Sequence, residues 1–221
     1  MRYRCLVLDH DDTAVQSTPT VNYPSFVNTL ALLRPGVSYS YEEFVGLCAE
    51  PGFEALLREI LGFTDEEMEI ETRQWLEFVR RVTPPFWPGI PELVRRQKAE
   101  GGLLCVVSHS FDENIRRDYQ AACPEAMPDA VYGWDRGDGR RKPDPWPLED
   151  ILARWSLEPR DLLVVDDLLP GYEMARSCGV DFACAHWGMD APPVRARMDP
   201  LPCIHLETVE DLAALQFGKA E

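Results

Sequence analysis

Three stretches of this chain are continuous apolar runs of strand length: residues 4–8 (RCLVL), 103–107 (LLCVV) and 162–165 (LLVV). A strand whose successive side chains are apolar has no face to offer water. It needs cover on both sides, as in a parallel sheet packed between helices. Shorter runs that suit the same sheet are Ala130-Val131-Tyr132, Phe182-Ala183-Cys184-Ala185 and Cys203-Ile204-His205-Leu206. Helical stretches fall between them. Ser110-Phe111-Asp112-Glu113 has capping-box spacing and predicts a helix start straight after the second run. Pro91 to Glu100 reads as a helix stopped by Gly101-Gly102, Pro147 to Trp155 as another, and Gly171 to Cys178 as a third closed by Gly179. Strand and helix in alternation argue for an α/β fold.

Residues 15–85 break the rhythm and hold no convincing strand. Thr64-Asp65-Glu66-Glu67 is a second capping box. Met68, Thr72, Trp75, Val79 and Val82 come after it at three- and four-residue spacing, an amphipathic helix. Tyr41 to Ala49 and Phe53 to Leu61 read as shorter helices on either side of Pro51-Gly52, and Thr83 to Gly89 as a stiff return linker. The span is expected to be an all-helical insert with its own small core, including Trp75 with Phe78 or Val79.

Polar residues at the ends of the apolar runs carry the chemistry. Asp9 ends the first, with Asp11 two residues on. Ser108 ends the second, and Asp166-Asp167 the third. In open α/β sheets, ligands bind beyond the carboxyl ends of the strands. One carboxylate there can attack phosphorus and form an aspartyl-phosphate. A second can protonate the leaving oxygen and later deprotonate the attacking water. Adjacent acids such as Asp166-Asp167 suit a hard cation, Mg²⁺. Asp is also a common turn residue, and a Ser before a helix is usually its N-cap. With Ser110 filling the capping role, Ser108 is left free to bond a phosphoryl oxygen together with nearby backbone N–H groups. Lys142, anchored by Pro143-Asp144-Pro145, would offset charge in a phosphoryl-transfer transition state.

Asp9-His10-Asp11-Asp12-Thr13 fits a DxDxT motif. With Ser108, Lys142-Pro143-Asp144-Pro145 and Asp166-Asp167-Leu168-Leu169-Pro170-Gly171 in that order, nearly the whole chain resembles the haloacid dehalogenase superfamily. It is similar to the helical-cap branch, as in phosphoglycolate phosphatases and β-phosphoglucomutase-like proteins. Trp87-Pro88-Gly89-Ile90-Pro91-Glu92-Leu93 resembles that family's return into the core. The resemblance implies a Rossmann-like parallel sheet in strand order 5-4-1-2-3, a core of residues 1–14 and 86–221, and a helical cap at 15–85. It implies Asp9 as nucleophile and Asp11 as acid/base. Ser108 and Lys142 would hold phosphate, with His109 in the same phosphate-binding set. Mg²⁺ would sit on Asp9, the Asp11 backbone carbonyl and Asp167, with Asp166 adjacent. Asp11 argues against a haloacid dehalogenase proper, which lacks that second acid. Asp12 replaces the usual Gly, and Asp tolerates the required backbone. Leu168 replaces a usual Ser or Thr and costs one minor hydrogen bond. For His10 and His109, a contributed backbone N–H with the ring packed nearby is preferred to a titrating role.

The formal net charge of −16 excludes a nucleic-acid partner, which wants a basic face. The one basic cluster, Arg140-Arg141-Lys142, is as well explained by a solvated loop as by substrate contact, its lysine apart. Seven cysteines, an odd count without a CxxC pair, read as small buried hydrophobes in a reducing compartment rather than disulfides or a zinc site. No apolar run spans a membrane, and the N-terminus enters a strand without signal-peptide layout. A cytoplasmic monomer or weak homodimer is expected. The leading function is a Mg²⁺-dependent phosphatase acting on a small phosphorylated metabolite. One alternative is a phosphosugar mutase, with a second phosphate held by Arg34, Arg58, Arg73, Arg80 or Arg81. Another is a catalytically silent binding protein.

Overall fold

In a computed structural model, which describes residues 1–189 and 191–218, each expected run becomes a strand. They are β1 (Cys5–Leu8), β2 (Leu103–Val107), β3 (Ala130–Tyr132), β4 (Leu162–Asp166), β5 (Asp181–Ala185) and β6 (Ile204–Leu206). All pairings are parallel, in the order β3-β2-β1-β4-β5-β6. The expected five-strand order is therefore present, and β6 extends it at one edge. β1 lies at the centre, with Leu8 paired to Val106 of β2 and Val165 of β4. This register delivers Asp9, Ser108 and Asp166-Asp167 to one end of three neighbouring strands.

The helices are α1 (Tyr23–Leu33), α2 (Tyr41–Leu47), α3 (Phe53–Ala55), α4 (Asp65–Arg81), α5 (Ile90–Ala99), α6 (Asp112–Ala122), α7 (Trp146–Trp155), α8 (Leu169–Ser177), α9 (Pro192–Met198) and α10 (Val209–Phe217). Alternate side chains of each strand enter two buried clusters. One holds Cys5, Val7, Cys105 and Val164 with α7 and α8 residues such as Ile151 and Ala175. The other holds Leu6, Leu8, Val106 and Val165 with α5 and α6 residues such as Val94 and Ile115. Cover on both faces is what continuous apolar strands require. Among the described residues, no helix is long and apolar enough to cross a membrane.

Between Leu8 and Leu103 the described residues form helices and no strand, only single bridges joining Val15 to Asp11 and to Phe86. The chain leaves and returns through a pair of strapped segments: Gln16 N–H donates to Pro85 O at 2.9 Å and Trp87 N–H to Ala14 O at 2.9 Å. The Thr64 capping box forms as its spacing predicts, with Glu67 N–H donating to Thr64 Oγ1 at 3.3 Å and Thr64 N–H to Glu67 Oε2 at 3.0 Å. The packing of this helical stretch differs from expectation. Its buried apolar side chains include Phe26, Leu30, Phe44, Leu56, Leu57 and Phe63, and these join one face of the sheet's core in a continuous cluster. Trp75 is not among them. It is half-buried, its ring centroid 5.9 Å from that of Phe111, which precedes α6.

Candidate active site

Asp9 extends β1 by one residue, its N–H donating to Val165 O at 2.9 Å. Its carboxylate is 5% exposed. Lys142 Nζ lies 2.7 Å from Asp9 Oδ1 and 2.6 Å from Asp166 Oδ2. The contact with Asp166 is a hydrogen bond, whereas Asp9 Oδ1 is buried with an ion-pair neighbour but no aligned donor. Burial pulls the Lys142 ammonium toward neutrality, but the adjacent Asp166 and Asp9 outweigh it and raise its pKa. Lys142 is the one buried Lys or Arg side chain among the described residues.

Asp166 also accepts Leu168 N–H at 2.9 Å. Gly171 opens the space it needs, since a Cβ there would fall 2.3 Å from Asp166 Oδ2. Asp167 accepts Thr13 Oγ1–H at 3.2 Å and Met189 N–H at 3.2 Å. Burial pushes the Asp166 carboxyl up to about 7 despite Lys142, and pushes Asp167 well above its usual range, aided by the charges of Asp166 and Asp9. One oxygen from each of Asp9, Asp166 and Asp167 lies within 4.8 Å of the others. Three buried carboxylates against one ammonium leave excess negative charge that a hard oxygen-seeking divalent cation would neutralise. These donors fit Mg²⁺.

Asp11 differs from Asp9 in its surroundings. It is only half-buried, and hydroxyls surround it: Ser110 Oγ–H donates to Oδ2 at 2.5 Å and Ser108 Oγ–H at 3.3 Å. Ser108 is fully buried and also accepts Ser110 N–H at 3.2 Å. The expected capping role of Ser110 is therefore absent. Phe111 precedes the first turn of α6 with no side-chain cap, and the Ser110 hydroxyl faces Asp11 instead. The ring of His109 is engaged by the Lys142 carbonyl, 2.8 Å from Nε2, and lies edge-on to Trp134, so its side chain supports the lysine loop.

Asp12 takes the left-handed backbone, at φ 58°. Its carboxylate accepts Thr18 N–H at 3.0 Å and the Thr18 hydroxyl, holding the turn that leads into α1. Burial pushes it up to about 7 although both Thr18 bonds draw it down. His10 is buried, with Nε2 3.0 Å from Asp118 Oδ2 of α6 and its ring beside Phe86 and Tyr119. Beside Asp11 is a narrow recess of about 20 Å³, room for roughly one water. Asn22, Trp75, Val79, Ser110 and Arg117 contribute to its lining. Asp118, Arg117 and Trp75 carry no sequence signal pointing to this site. Ser110 carries one, its place two residues from Ser108. The arginines expected to suit a second phosphate are in part already engaged: Arg34 with Glu67 at 2.6 Å and Arg58 with Asp65 at 2.8 Å.

A family model described as haloacid dehalogenase-like hydrolase matches residues 3–179. Protein CbbY of Rhodobacter capsulatus is 24% identical over 211 residues, covering 85% of this chain and 92% of that protein. A phosphoglycolate phosphatase of Nitrosospira multiformis is 29% identical over 102 residues, 46% of this chain and 44% of that protein. The crystal structure of a predicted phosphoglycolate phosphatase from Haemophilus somnus 129pt shares the fold at a TM-score of 0.77. Its identity is 18%, with 98% of this chain and 99% of that one covered.

Proposed function

The chain belongs to the haloacid dehalogenase-like hydrolases, and we propose that this phosphatase hydrolyses a small phosphorylated metabolite through a phosphoryl group carried on Asp9. The observation that supports this most is the contrast between two carboxylates at one strand end. Asp9 is buried beside Lys142, which holds its carboxylate charged and suited to attack. Asp11 is half-buried among hydroxyls, suited to trade a proton. Asp9 attacks phosphorus, and the leaving oxygen takes a proton from Asp11. Asp11 then takes a proton from the water that attacks the phosphoryl-aspartate. Lys142 offsets the charge that builds on the transferring group. Ser108 and backbone N–H groups at the start of α6 hold its oxygens. Asp9, Asp166 and Asp167, with the Asp11 backbone carbonyl, would hold Mg²⁺, which when bound supplies further positive charge beside the phosphoryl group.

The helical stretch at 15–85 acts as a cap. With Trp75 and Val79 in place, the recess beside Asp11 holds roughly one water, which fits a cap that parts from the core to admit substrate. Purified protein with Mg²⁺ should release phosphate from one or more members of a panel of 2-phosphoglycolate, sugar monophosphates, sugar bisphosphates and an aryl phosphate. Asp9→Asn should abolish it. Release from no ester, or full turnover by Asp9→Asn, would overturn the reading.

A further inference from the structure

Away from the carboxylates, the sequence twice repeats Cys-x-His: Cys184-Ala185-His186 and Cys203-Ile204-His205. Side chains two apart on a strand share a face, and β5 and β6 are adjacent, with Cys184 paired to His205. The four side chains thus gather at one end of the sheet's edge. Cys184 Sγ is 3.8 Å from His186 Nδ1, His186 Nε2 is 2.9 Å from His205 Nδ1, and Cys203 Sγ is 3.7 Å from His205 Nε2. One donor atom from each of Cys184, His186 and His205 lies within 4.8 Å of the others. Zn²⁺ holds sulfur at about 2.3 Å and imidazole nitrogen at about 2.0–2.1 Å in a tetrahedron. Its ligands then stand roughly 3.3–3.8 Å apart, a spacing near that of the three donor atoms here. Cys184 and His186 are buried while His205 is exposed, its Nε2 3.0 Å from Leu201 O, a contact that metal binding would replace.

We propose that Cys184, His186 and His205, with Cys203 as fourth donor, bind a divalent cation of the Zn²⁺ class at a site separate from the carboxylate cluster. Two thiols and two imidazoles select against Mg²⁺ and Ca²⁺, which prefer oxygen. A hydrogen bond between stacked histidines, at a 10° interplanar angle, accounts for the ring contact alone. It leaves a thiol beside each imidazole without a reason. Asp199 Oδ1, 3.6 Å from His186 Nε2, adds negative charge nearby. The site has a structural consequence for its neighbour. After His186 the chain runs through Trp187, whose indole N–H donates to Thr13 O at 3.0 Å, to Met189, whose N–H donates to Asp167. A metal on His186 fixes the root of the segment that seats Asp167 and Thr13.

The test uses chelator-stripped full-length protein in excess Mg²⁺, titrated with Co²⁺ as a coloured stand-in and then with Zn²⁺. One equivalent of Co²⁺ should produce a thiolate-to-metal charge-transfer band in the near ultraviolet, and Zn²⁺ should bleach it. Cys184→Ser should weaken the band, and Cys184→Ser with Cys203→Ser should abolish it. His205→Gln, at an exposed position, should fold normally and bind at least about tenfold more weakly. Asp167→Asn should keep the band. Zn²⁺ should raise the thermal midpoint of the wild type and not of His205→Gln. No band in the wild type, binding only at millimolar metal, unaltered affinity in His205→Gln, or a band lost in Asp167→Asn would each overturn the proposal. Phosphatase activity is not the readout, so failure here is separable from failure of the phosphatase reading.

Discussion

The Ser110 hydroxyl donates to Asp11 Oδ2 at 2.5 Å, a shorter bond than that from Ser108 at 3.3 Å. Ser110 therefore orients the proposed acid/base more directly than the serine at the strand end. A hydrogen bond to a charged group is worth about 1.5–3 kcal/mol. Ser110→Ala should accordingly lower kcat on an alkyl phosphate by roughly 10- to 100-fold and change KM little. Equal losses in kcat and phosphate affinity would instead assign Ser110 to substrate binding.

Asp11→Asn should slow hydrolysis of sugar phosphates far more than of an activated aryl phosphate, because an aryl oxide leaves without a proton. General-acid loss costs on the order of 10²–10⁴-fold. Single-turnover rates on both substrate types check this. Equal slowing in the phosphoryl-transfer step would remove Asp11 from the leaving-group role.

Asp167→Asn removes a charge and an oxygen ligand from the proposed Mg²⁺ cluster while leaving an amide whose one oxygen can still accept from either Thr13 or Met189. Calorimetric titration should show Mg²⁺ bound at least about tenfold more weakly. Wild-type affinity in this variant would refute the assignment of Asp167 as a metal ligand.

Glu71, on α4, is buried, and desolvation pushes its carboxyl from 4.5 up to about 7. The folded state therefore favours the protonated form more than the unfolded chain does. That stability is present at low pH and is lost as pH rises from about 4.5 through about 7. Glu71→Gln keeps a neutral polar group at every pH. It should match the wild type in urea unfolding at pH 4 and exceed it at pH 8 by on the order of 3 kcal/mol. No gap at pH 8 would mean that Glu71 is solvated.

Asp12→Gly relieves a left-handed backbone but deletes both acceptors of Thr18. The Thr18 amide should lose protection from hydrogen exchange by about tenfold or more, with the β1 amides unchanged. Retained protection at Thr18 would show that the turn is held by other contacts.

The sheet is legible in the sequence because its strands are buried on both faces and so carry an unbroken apolar signature. The acids beyond them are legible because a parallel sheet gathers strand ends. Thr64 reads correctly as a cap because a capping box is closed within four residues and is satisfied locally. Ser110 misleads for the opposite reason: the local pattern is present, but Asp11, distant in sequence, competes for the hydroxyl and wins. The stretch 18–33 gives no helix signal, since Pro19 and Pro24 stand in its first turns, where proline is tolerated although it resembles a breaker. Periodicity marks Trp75 as belonging to an apolar face without saying what that face meets. The pairing of His10 with Asp118 depends wholly on how α6 crosses β1, and no local pattern encodes that.

Trp75 donates its indole N–H to Asn22 at 3.0 Å and rests against Phe111. Of the six tryptophans in the chain it alone lines the recess beside Asp11. The molecule thus carries its own fluorophore at the seam that the proposed cap opening would part. Indole emission should redden as Trp75 parts from Phe111 and meets water, which makes cap movement measurable in real time on unlabelled protein.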